Sequence, residues 1–591
     1  MLKFTVKPKN FFIVVLLGLA VFACYLPTLN NGFIWDDNYN FIENNNYRGL
    51  SLSHLYWMFT TFHDANYHPL TWLSLGFDFV LWGMNPAGYH LTNIVLHVIN
   101  TISFYFLIIA LLQRTAAINS AGSIGVPAGA VFGALFFAVH PLRVETVSWI
   151  STRGDLVCGV FYILTIIAYL RMNDNLTAVK RRKWFLLSLL FFTCSLLSRA
   201  WGITMPLVLL ILDAYPLGRF DFISRSTSAL KKILIEKLPF ALLAFGTAVF
   251  AIQAKRGSML MVSDHGTVDR FVQATYGLYF YIFKTVLPVR LSPFYLLDKA
   301  FNPLESKYIF SVLAVFGITL CLTVMRHRWP WALTAWACYA VIVSPLLGFV
   351  QSGPQIAADR YTYLSCMPFG VLAGAGMFRL GMIQQKARLF SALLLLWIGL
   401  LVLSVISFQQ TRIWYDNRTF WDHVIKLDPD NYVAYNNRGV FLKEQAGDLV
   451  QALKDYNAAI GLYPENEGAY YNRGLLYEKQ GDLAAAVADY SSVIRLNPRD
   501  TKAYNNRGIL RDRLGDWAGA LADFKTTIRL APFSPEAYAN RGMIRLSRND
   551  LIGAMHDLTK AIAVASTNWI YRAQVEKELA NIRTQLEKKP Q

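Results

Sequence analysis

Long apolar runs alternate with short polar loops through the first 408 residues of the chain. Several of these runs approach the roughly 20 residues that a membrane-spanning helix needs. The first follows Lys3, Lys7 and Lys9 and has no small-residue cleavage site behind it, which favours a retained anchor over a cleaved signal peptide. Twelve runs are visible, at residues 11–29, 91–112, 126–140, 155–170, 184–198, 201–215, 238–253, 271–287, 307–325, 331–350, 361–378 and 389–408.

The charge of the connecting loops predicts the orientation of these runs, because cytoplasmic loops carry an excess of Lys and Arg. The basic stretches are the N-terminus, 180–183, 219–237, 326–328 and 379–388. All of these basic stretches lie on the cytoplasmic side only if one of the runs does not cross the membrane. Run 271–287 contains Gln273 and Lys284, so it is assigned as a re-entrant or interfacial helix. About eleven spans result, with the long loop 30–90 and the C-terminal region outside.

The C-terminal part of the chain is a repeat. A Tyr, Asn, Arg and Gly pattern ends at Gly439, Gly474, Gly508 and Gly542, with spacings of 35, 34 and 34 residues. With the alanines and prolines that follow, this period is typical of tetratricopeptide repeats, in which helix pairs stack on their neighbours. The sequence predicts an all-α chain: a membrane domain over 1–408, a connecting helix over 409–431, four repeats over 432–568 and a capping helix over 569–591.

Two columns of polar residues recur within the repeats. One is an asparagine on each first helix: Asn437, Asn472, Asn506 and Asn540. A carboxamide offers both a donor and an acceptor, which suits the backbone of an extended peptide acceptor, although these residues could instead bridge neighbouring helices. The other column pairs an arginine with an aspartate: Arg438 with Asp455, Arg473 with Asp489, Arg507 with Asp523 and Arg541 with Asp557. Here an ion pair between the two helices of a repeat is favoured over a binding site.

Composition narrows the class of protein. Of 591 residues, 54% are hydrophobic and 16% are charged, whereas a soluble domain carries about 25% charged residues. The first 408 residues contain 31 basic and 16 acidic residues, and the last 183 contain 25 and 22. This excludes a secreted globule, an ordinary cytosolic enzyme and a disordered chain. The excess basic residues lie in loops between apolar runs, so no nucleic-acid partner is predicted. The six cysteines form no CxxC pair and are interpreted as packing residues.

Candidate chemistry lies in the loops assigned to the outside. Asp36 and Asp37 are adjacent acids directly after the first run, where one can act as a general base whose pKa is tuned by the other. Arginine forks suit a diphosphate or phosphodiester. For each arginine taken alone, the alternative to phosphate binding is a salt bridge that packs a loop. The further outside residues are His140, Arg143, Glu145, Arg153, Asp155, Arg199, Asp359, Arg360 and Tyr361.

A polar stripe follows the second run. His90, Asn93, His97 and Asn100 recur at three- and four-residue intervals, so they share one helix face that must point into the bundle. Metal binding is one use of such a stripe, and hydrogen bonding between helices is the commoner one. No metal-ligand motif is found, so no metal ligand is assigned. No cofactor is predicted to be required, and the paired acids leave room for a divalent cation.

The order of these motifs resembles the bacterial members of the transmembrane and tetratricopeptide-repeat O-mannosyltransferase-like family, within the GT-C glycosyltransferases. The matching motifs are Trp35-Asp36-Asp37, Tyr67 to Trp72, Asn85 to Asn93, His140 to Glu145, Leu287-Pro288-Val289, Ala358 to Tyr363, and Gln409 to Trp421. The resemblance implies a GT-C-like helical bundle and an inverting transferase that uses a polyprenyl-phosphate sugar, with mannose-type hexoses favoured.

The resemblance also implies roles for individual residues. Asp36 would deprotonate an acceptor hydroxyl of a protein Ser or Thr, and Asp37 would orient it. The donor phosphate would be bound by Arg143, Arg153, Arg199 and Arg360. The site would be lined by His90, Asn93, His97, His140, Glu145, Asp155, Asp359 and Tyr361.

Location and partners complete these expectations. The chain is expected in a bacterial inner membrane, with its repeats on the periplasmic or extracytoplasmic face. Its expected partners are a protein acceptor and membrane lipids. Two other classes remain open. A membrane-anchored repeat scaffold explains the repeats but not the outside acids and arginines. A transporter would hold its charged groups nearer the bilayer midplane.

Overall fold

The computed structural model describes residues 8–115, 125–174, 176–220, 227–255, 266–297, 301–348, 354–381 and 385–588. The chain divides into two compact units, Met1–His423 and Val424–Gln591. The division falls within the segment 409–431 that was predicted to connect two domains. Of the basic stretches used for orientation, Lys3, Lys7 and parts of 219–237 and 379–388 lie outside the described residues.

The N-terminal unit is helical apart from one small antiparallel pair, β1 (Tyr295–Leu296) and β2 (Gln355–Ala357). Its helices are α1 Pro8–Tyr25, α2 Leu52–Thr60, α3 Pro69–Trp82, α4 Pro86–Leu112, α5 Gly125–Ala138, α6 Val144–Ser148, α7 Arg153–Met172, α8 Ala178–Ser198, α9 Met205–Ala214, α10 Thr227–Lys255, α11 Thr267–Val286, α12 Ser306–Val324, α13 Pro330–Val343, α14 Thr362–Ser365, α15 Met367–Leu380 and α16 Lys386–Thr411, followed by α17 Asn417–Leu427, which reaches into the second unit.

Fewer helices are both long and strongly apolar than the roughly eleven spans expected. Within the described residues, six helices are long and apolar enough to cross a membrane, or eight if each of two bent helix pairs forms one span. Helix α9 and helix α13 belong to shorter apolar segments, 200–214 and 330–346. The other expected spans fall on these shorter segments and on α8, an unbroken helix with four basic residues at 180–183. The unit is nonetheless a multi-pass membrane domain.

The two bent pairs bring the site together. Helix α5 turns by 58° into the segment 141–148, and segment 359–365 turns by 57° into α15. Helices α5 and α15 touch through glycines: a Cβ on Gly129 would lie 2.5 Å from the carbonyl oxygen of Gly374, and one on Gly133 would collide with that of Gly370. Small residues four apart on both helices allow the backbones to approach this closely.

The segment 30–90, which connects the first two apolar runs, is folded. It contains α2, α3 and the first turn of α4. Tyr47, Trp72 and Tyr89 are buried there in an aromatic cluster that also includes Phe41 and Met58. This packing makes the segment a structured cap on the helical bundle, because the large apolar side chains that it buries hold it to α4.

The C-terminal unit consists of helix pairs. After α17 its helices are α18 Tyr432–Phe441, α19 Leu449–Leu462, α20 Glu467–Gln480, α21 Leu483–Leu496, α22 Thr501–Arg513, α23 Trp517–Leu530, α24 Pro535–Ser547, α25 Leu551–Val564 and α26 Arg572–Lys588. The turn inside each pair contains a residue with positive φ, namely Gly447, Gly481, Gly515 and Asn549. An aspartate then caps each second helix, because Asp448, Asp482, Asp516 and Asp550 accept hydrogen bonds from its backbone N–H groups.

The two polar columns of the repeats are both used internally. The four Arg–Asp pairs are bidentate, with closest N–O distances of 2.7 Å. Asn472 donates to Asn436 of the preceding repeat at 3.0 Å, and Asn540 donates to Asn505 at 3.1 Å. Asn506 donates to the Tyr471 hydroxyl at 3.1 Å, and Asn437 accepts from Asn436 at 3.2 Å. Three of the four asparagines, Asn472, Asn506 and Asn540, therefore bridge neighbouring repeats in this structure.

Candidate active site

The segment that carries the paired acids is held by aromatic stacking. Trp35 has a φ of 51°, a left-handed conformation that costs a non-glycine residue about 1–3 kcal/mol. Its ring lies parallel to that of Trp149, with centroids 4.9 Å apart. The backbone N–H of Trp35 donates to the side chain of Asn417 at 2.7 Å. These contacts fix the strained residue, so the following Asp36 is presented in one defined position.

Asp37 and Asp36 differ in their contacts. Asp37 is fully buried, and one of its oxygens accepts from the N–H and the hydroxyl of Ser151 at 3.0 and 2.6 Å. The other accepts from the N–H of Ile34 at 3.1 Å. Asp36 is partly exposed, and its carboxylate has no hydrogen bond or ion pair with any described residue. Asp37 therefore anchors the segment, and Asp36 is open to a bound molecule.

The pKa of both acids is raised. Burial raises the pKa of Asp36 to about 7; the negative charge of Asp64 adds to this, and the positive charge of Arg360 opposes it. Burial also raises the pKa of Asp37 to about 7, against the hydrogen bonds from Ser151 and Ile34. A carboxylate with a pKa near neutrality can take up a proton during a reaction at neutral pH. The pKa values do not distinguish the two acids, but their contacts do.

Asp64 is a further acid of this site that the sequence analysis did not single out. It lies in a tight turn in which His63 and Asn66 form an antiparallel bridge, and both central residues have positive φ, 49° at Asp64 and 54° at Ala65. The ring of His63 stacks on Tyr39 with centroids 5.1 Å apart. Since Tyr39 follows Asp36 by three residues, this stack holds the turn beside the paired acids. An isolated acid in a polar loop gave no sequence signal for this proximity.

Arg199 is the partly exposed arginine of the predicted set. Its Nε lies 3.3 Å from the carboxylate of Asp155, which is completely buried at the start of α7. Its guanidinium also lies over the ring of Trp201, 5.5 Å from the centroid. Two of its faces are therefore used by the protein, and the exposed fraction of its side chain, 20%, leaves the rest accessible.

Arg360 and Glu145 form a buried ion pair between the two bent helix pairs. The backbone N–H of Arg360 donates to the second oxygen of Glu145 at 2.8 Å. The Arg360 guanidinium also lies 5.4 Å from the ring centroid of Trp149, which is the ring that stacks on Trp35. Through Trp149 the Arg360–Glu145 ion pair therefore lies against the segment that carries Asp36 and Asp37.

Lys255 is a second residue that sequence reasoning missed. It is the last residue of α10, and it lies within electrostatic reach of both Arg199 and Arg360. Tyr67 stacks on Phe250 of the same helix, with centroids 6.0 Å apart, so α10 lies against the segment that contains Asp64. The three cations come from distant parts of the chain, and their proximity leaves no local sequence pattern.

Arg143 and Arg153 belong to the interior. Arg153 is fully buried, pairs with Asp78 at 2.7 Å and donates to the carbonyl of Tyr89 at 2.7 Å. Arg143 is also buried; it donates to the Thr362 hydroxyl at 2.9 Å. Both side chains are used to hold helices together in this structure.

The residues predicted to line the site also divide into partly exposed and buried ones. Tyr361 is partly exposed and packs edge-on against Trp201, with centroids 5.7 Å apart. Asp359 is buried and accepts from the Tyr295 hydroxyl at 3.0 Å. The histidines and the asparagine lie in the core: His90 is buried in α4, Asn93 donates to the carbonyl of Val147, His97 contacts Tyr363 and the carbonyl of Ala138, and His140 contacts the carbonyl of Thr285. Among the described residues, no group of three or more His, Cys, Asp or Glu side chains is arranged to hold a metal ion.

Comparison with known proteins identifies the relatives of this chain. Tetratricopeptide-repeat families match residues 445–481, 468–500 and 505–567. Human protein O-mannosyl-transferase TMTC1 is 24% identical over 78% of this chain, and the Drosophila melanogaster protein O-mannosyl-transferase Tmtc3 is 23% identical over 77%. Its relatives are protein O-mannosyl-transferases. The resemblance and the helical fold class, apolar helices followed by tetratricopeptide repeats, are confirmed.

The coverage of these relatives is partial. The matched region spans 56% of human TMTC1 and of Drosophila Tmtc3. Among solved structures, the crystal structure of MamA is 22% identical, covers 27% of this chain and 87% of its own, and has a TM-score of 0.23. The crystal structure of YrrB, a TPR protein with an unusual peptide-binding site, is 22% identical, covers 27% of this chain and 80% of its own, and has a TM-score of 0.25.

Proposed function

We propose that this chain is a GT-C-type membrane glycosyltransferase that moves a sugar, a mannose-type hexose, from a polyprenyl-phosphate donor to a Ser or Thr hydroxyl of a protein. The observation that carries the proposal is the unpaired Asp36 carboxylate, which lies within electrostatic reach of Arg360. Lys255 in turn lies within electrostatic reach of Arg360 and Arg199. A base next to cations suits a reaction in which a hydroxyl loses a proton while a phosphate leaves. The names of the relatives favour the same chemistry.

In the proposed reaction Asp36 accepts the proton of the acceptor hydroxyl. The hydroxyl oxygen forms a bond to the anomeric carbon of the sugar from the face opposite the phosphate, so the configuration inverts. The bond between that carbon and the phosphate oxygen breaks, and its electron pair leaves with the polyprenyl phosphate. Arg199 and Lys255 stabilise the charge that develops on the phosphate.

The other predicted residues take supporting roles in this proposal. Asp37 positions Asp36 through its hydrogen bonds to Ser151 and Ile34. Glu145 orients Arg360, and Asp155 orients Arg199. The reaction as written needs no cofactor, because its charges are balanced by side chains of the chain itself. A chelator included in the assay tests whether a divalent cation contributes.

The acceptor is proposed to bind along the repeats. Asn472, Asn506 and Asn540 use their amide hydrogens to bridge neighbouring residues. Their carbonyl oxygens are the atoms that would accept from the backbone N–H groups of an extended segment. A triple alanine variant is expected to raise KM for a protein acceptor and to leave kcat for a short soluble acceptor unchanged. We place the chain in a bacterial inner membrane with the repeats on the extracytoplasmic face.

The deciding experiment measures sugar transfer in isolated membranes. Labelled polyprenyl-phosphate sugars are supplied to wild type, Asp36→Asn and Glu43→Gln at matched expression. Glu43 is an exposed acid of the same segment and serves as the matched control. Transfer by wild type and Glu43→Gln, with a loss of about 100-fold or more in Asp36→Asn, is expected. Equal transfer by Asp36→Asn would exclude it as the base. No transfer from any donor would favour a membrane-anchored repeat scaffold.

A further inference from the structure

Five helices of the N-terminal unit surround a half-open apolar cavity of about 510 Å³ that the proposed reaction does not use. Helices α4, α7, α9, α13 and α15 line it, mostly with apolar side chains. Representative lining residues are Leu111, Ile166, Leu212, Ala335 and Leu372. The cavity lies within one compact unit, so its shape is set by packing inside that unit.

The cavity and the candidate active site lie towards opposite ends of the same helices. Asp155, which pairs with Arg199, is in the first turn of α7, whereas Ile166 lines the cavity eleven residues later. On α4, Asn93 is bound by the buried Arg153 near the start of the helix, and Leu111 lines the cavity near its end. At 1.5 Å per residue these separations are about 16 Å and about 27 Å. The cavity is therefore close to the opposite leaflet of a bilayer about 30 Å thick.

Two arginines and a histidine lie among the residues that line this cavity. His327 and Arg328 precede α13, and Arg379 is in the last turn of α15. All three residues are exposed, and none forms an ion pair with another described residue. The Arg379 guanidinium lies 5.7 Å from the ring centroid of Trp331. The site thus combines an apolar interior with a cluster of unneutralised positive charge.

We propose that this cavity binds an anionic phospholipid, with an acyl chain in the apolar interior and the phosphate at Arg328 and Arg379. Basic pockets between transmembrane helices on the cytoplasmic side are suited to anionic head groups, and an arginine fork matches a phosphate. A sugar-donor lipid is a poor occupant, because its phosphate must lie near Arg199 at the other end of α7. The exclusion of a donor lipid rests on the proposed function, whereas the match of an apolar interior and two arginines to an anionic phospholipid does not.

The test measures the thermal unfolding of the full chain in detergent with added lipid. Phosphatidylglycerol is compared with phosphatidylcholine at equal mole fraction. Wild type is expected to gain about 2 °C or more in Tm with phosphatidylglycerol only. The Arg328→Gln/Arg379→Gln variant is expected to lose this gain. Arg326→Gln is the matched control: Arg326 is exposed in the same loop and does not line the cavity, so this variant is expected to keep the gain.

A second variant tests the cavity without changing any charge. Gly376 lines it, and a Cβ there would meet nothing within 4 Å, so Gly376→Phe fills space without displacing backbone. It is expected to reduce the gain from phosphatidylglycerol by at least half. The proposal is overturned if the double arginine variant or Gly376→Phe responds as wild type does, or if Arg326→Gln loses the gain. Equal stabilisation by phosphatidylcholine, or stabilisation by polyprenyl phosphate alone, also overturns it.

Discussion

Glu145 and Arg360 form a buried ion pair that joins two helices, each broken near the pair. Helix α5 leads into the segment of Glu145, and the segment of Arg360 leads into α15. The glycine contacts between α5 and α15 bring the two breaks together. The site is therefore built where two helices stop being straight, and its cationic part depends on close packing inside the bundle.

Removing one partner of this pair is expected to destabilise the fold. Glu145→Gln leaves the buried Arg360 without its carboxylate, which costs about 3–5 kcal/mol. Unfolding by denaturant in detergent measures the change. The double variant Glu145→Gln/Arg360→Gln is expected to be more stable than Glu145→Gln alone, since it leaves no unpaired charge. A double variant less stable than both single variants would show that the two residues act separately.

Asp36 and Asp37 are expected to respond differently to the same substitution. Asp36→Asn removes the proposed base and breaks no hydrogen bond, so transfer falls and Tm holds or rises. Asp37→Asn weakens the contacts with Ser151 and Ile34. The free energy of unfolding then falls by about 1–3 kcal/mol. Transfer assays and thermal unfolding on the same preparations separate the two effects; a stability loss confined to Asp36→Asn would contradict the assignment.

The transfer rate is expected to depend on pH through Asp36. A base must be deprotonated, and its pKa is raised to about 7, so kcat/KM rises from pH 5 and levels off above pH 7. Asp64→Asn removes a negative charge that raises the pKa of Asp36. The rise of kcat/KM is therefore expected at lower pH in this variant. The folded state binds the Asp36 proton more tightly than the unfolded state. The contribution of Asp36 to the free energy of unfolding therefore falls as the pH rises from 4 to 7.

Thermal unfolding of wild type and Asp36→Asn from pH 4 to 8 checks this sign. The stability difference in favour of Asp36→Asn is expected to grow with pH and to level off above pH 7. A rate profile that Asp64→Asn leaves unchanged would show that the two carboxylates do not interact.

Two arginines with different surroundings provide a matched pair of conservative substitutions. Arg153→Lys removes donors to Ser74 and to the carbonyl of Tyr89 in the interior, at about 1–3 kcal/mol for each unsatisfied group. Arg199→Lys keeps a charge near Asp155 but loses the planar fork. We expect Arg153→Lys to lower Tm strongly and Arg199→Lys to lower transfer about tenfold with Tm nearly unchanged. The opposite pattern would place the phosphate at Arg153.

The glycine contact between α5 and α15 is also testable. Gly133→Leu drives a side chain into the carbonyl of Gly370, and overpacking costs about 1–3 kcal/mol. Gly317→Leu on α12 is the control, because a Cβ there meets nothing within 4 Å. Thermal unfolding is expected to show a lower Tm for Gly133→Leu only. An equal effect of both changes would indicate a general response to leucine in the membrane domain.

The sequence predicted what is local and repeated. The 34-residue period specified the helix pairs, and an arginine and an aspartate 16 or 17 residues apart specified each ion pair. It did not predict the helix breaks near Glu145 and Arg360, since an apolar run does not show where a helix bends. It also grouped Arg153 with Arg199, although one lies in the core and the other is partly exposed. Their partners are far away in the chain, so only the fold distinguishes them.

The repeats have a consequence for engineering. Each Arg–Asp pair lies within one helix pair, and each asparagine bridge links neighbours only. Stability in such an array is close to a sum of units and of interfaces between adjacent units. A unit of 34 residues can therefore be inserted between two existing ones, with each new junction copied from an old one. The number of repeats can then be changed without altering the residues of the membrane domain.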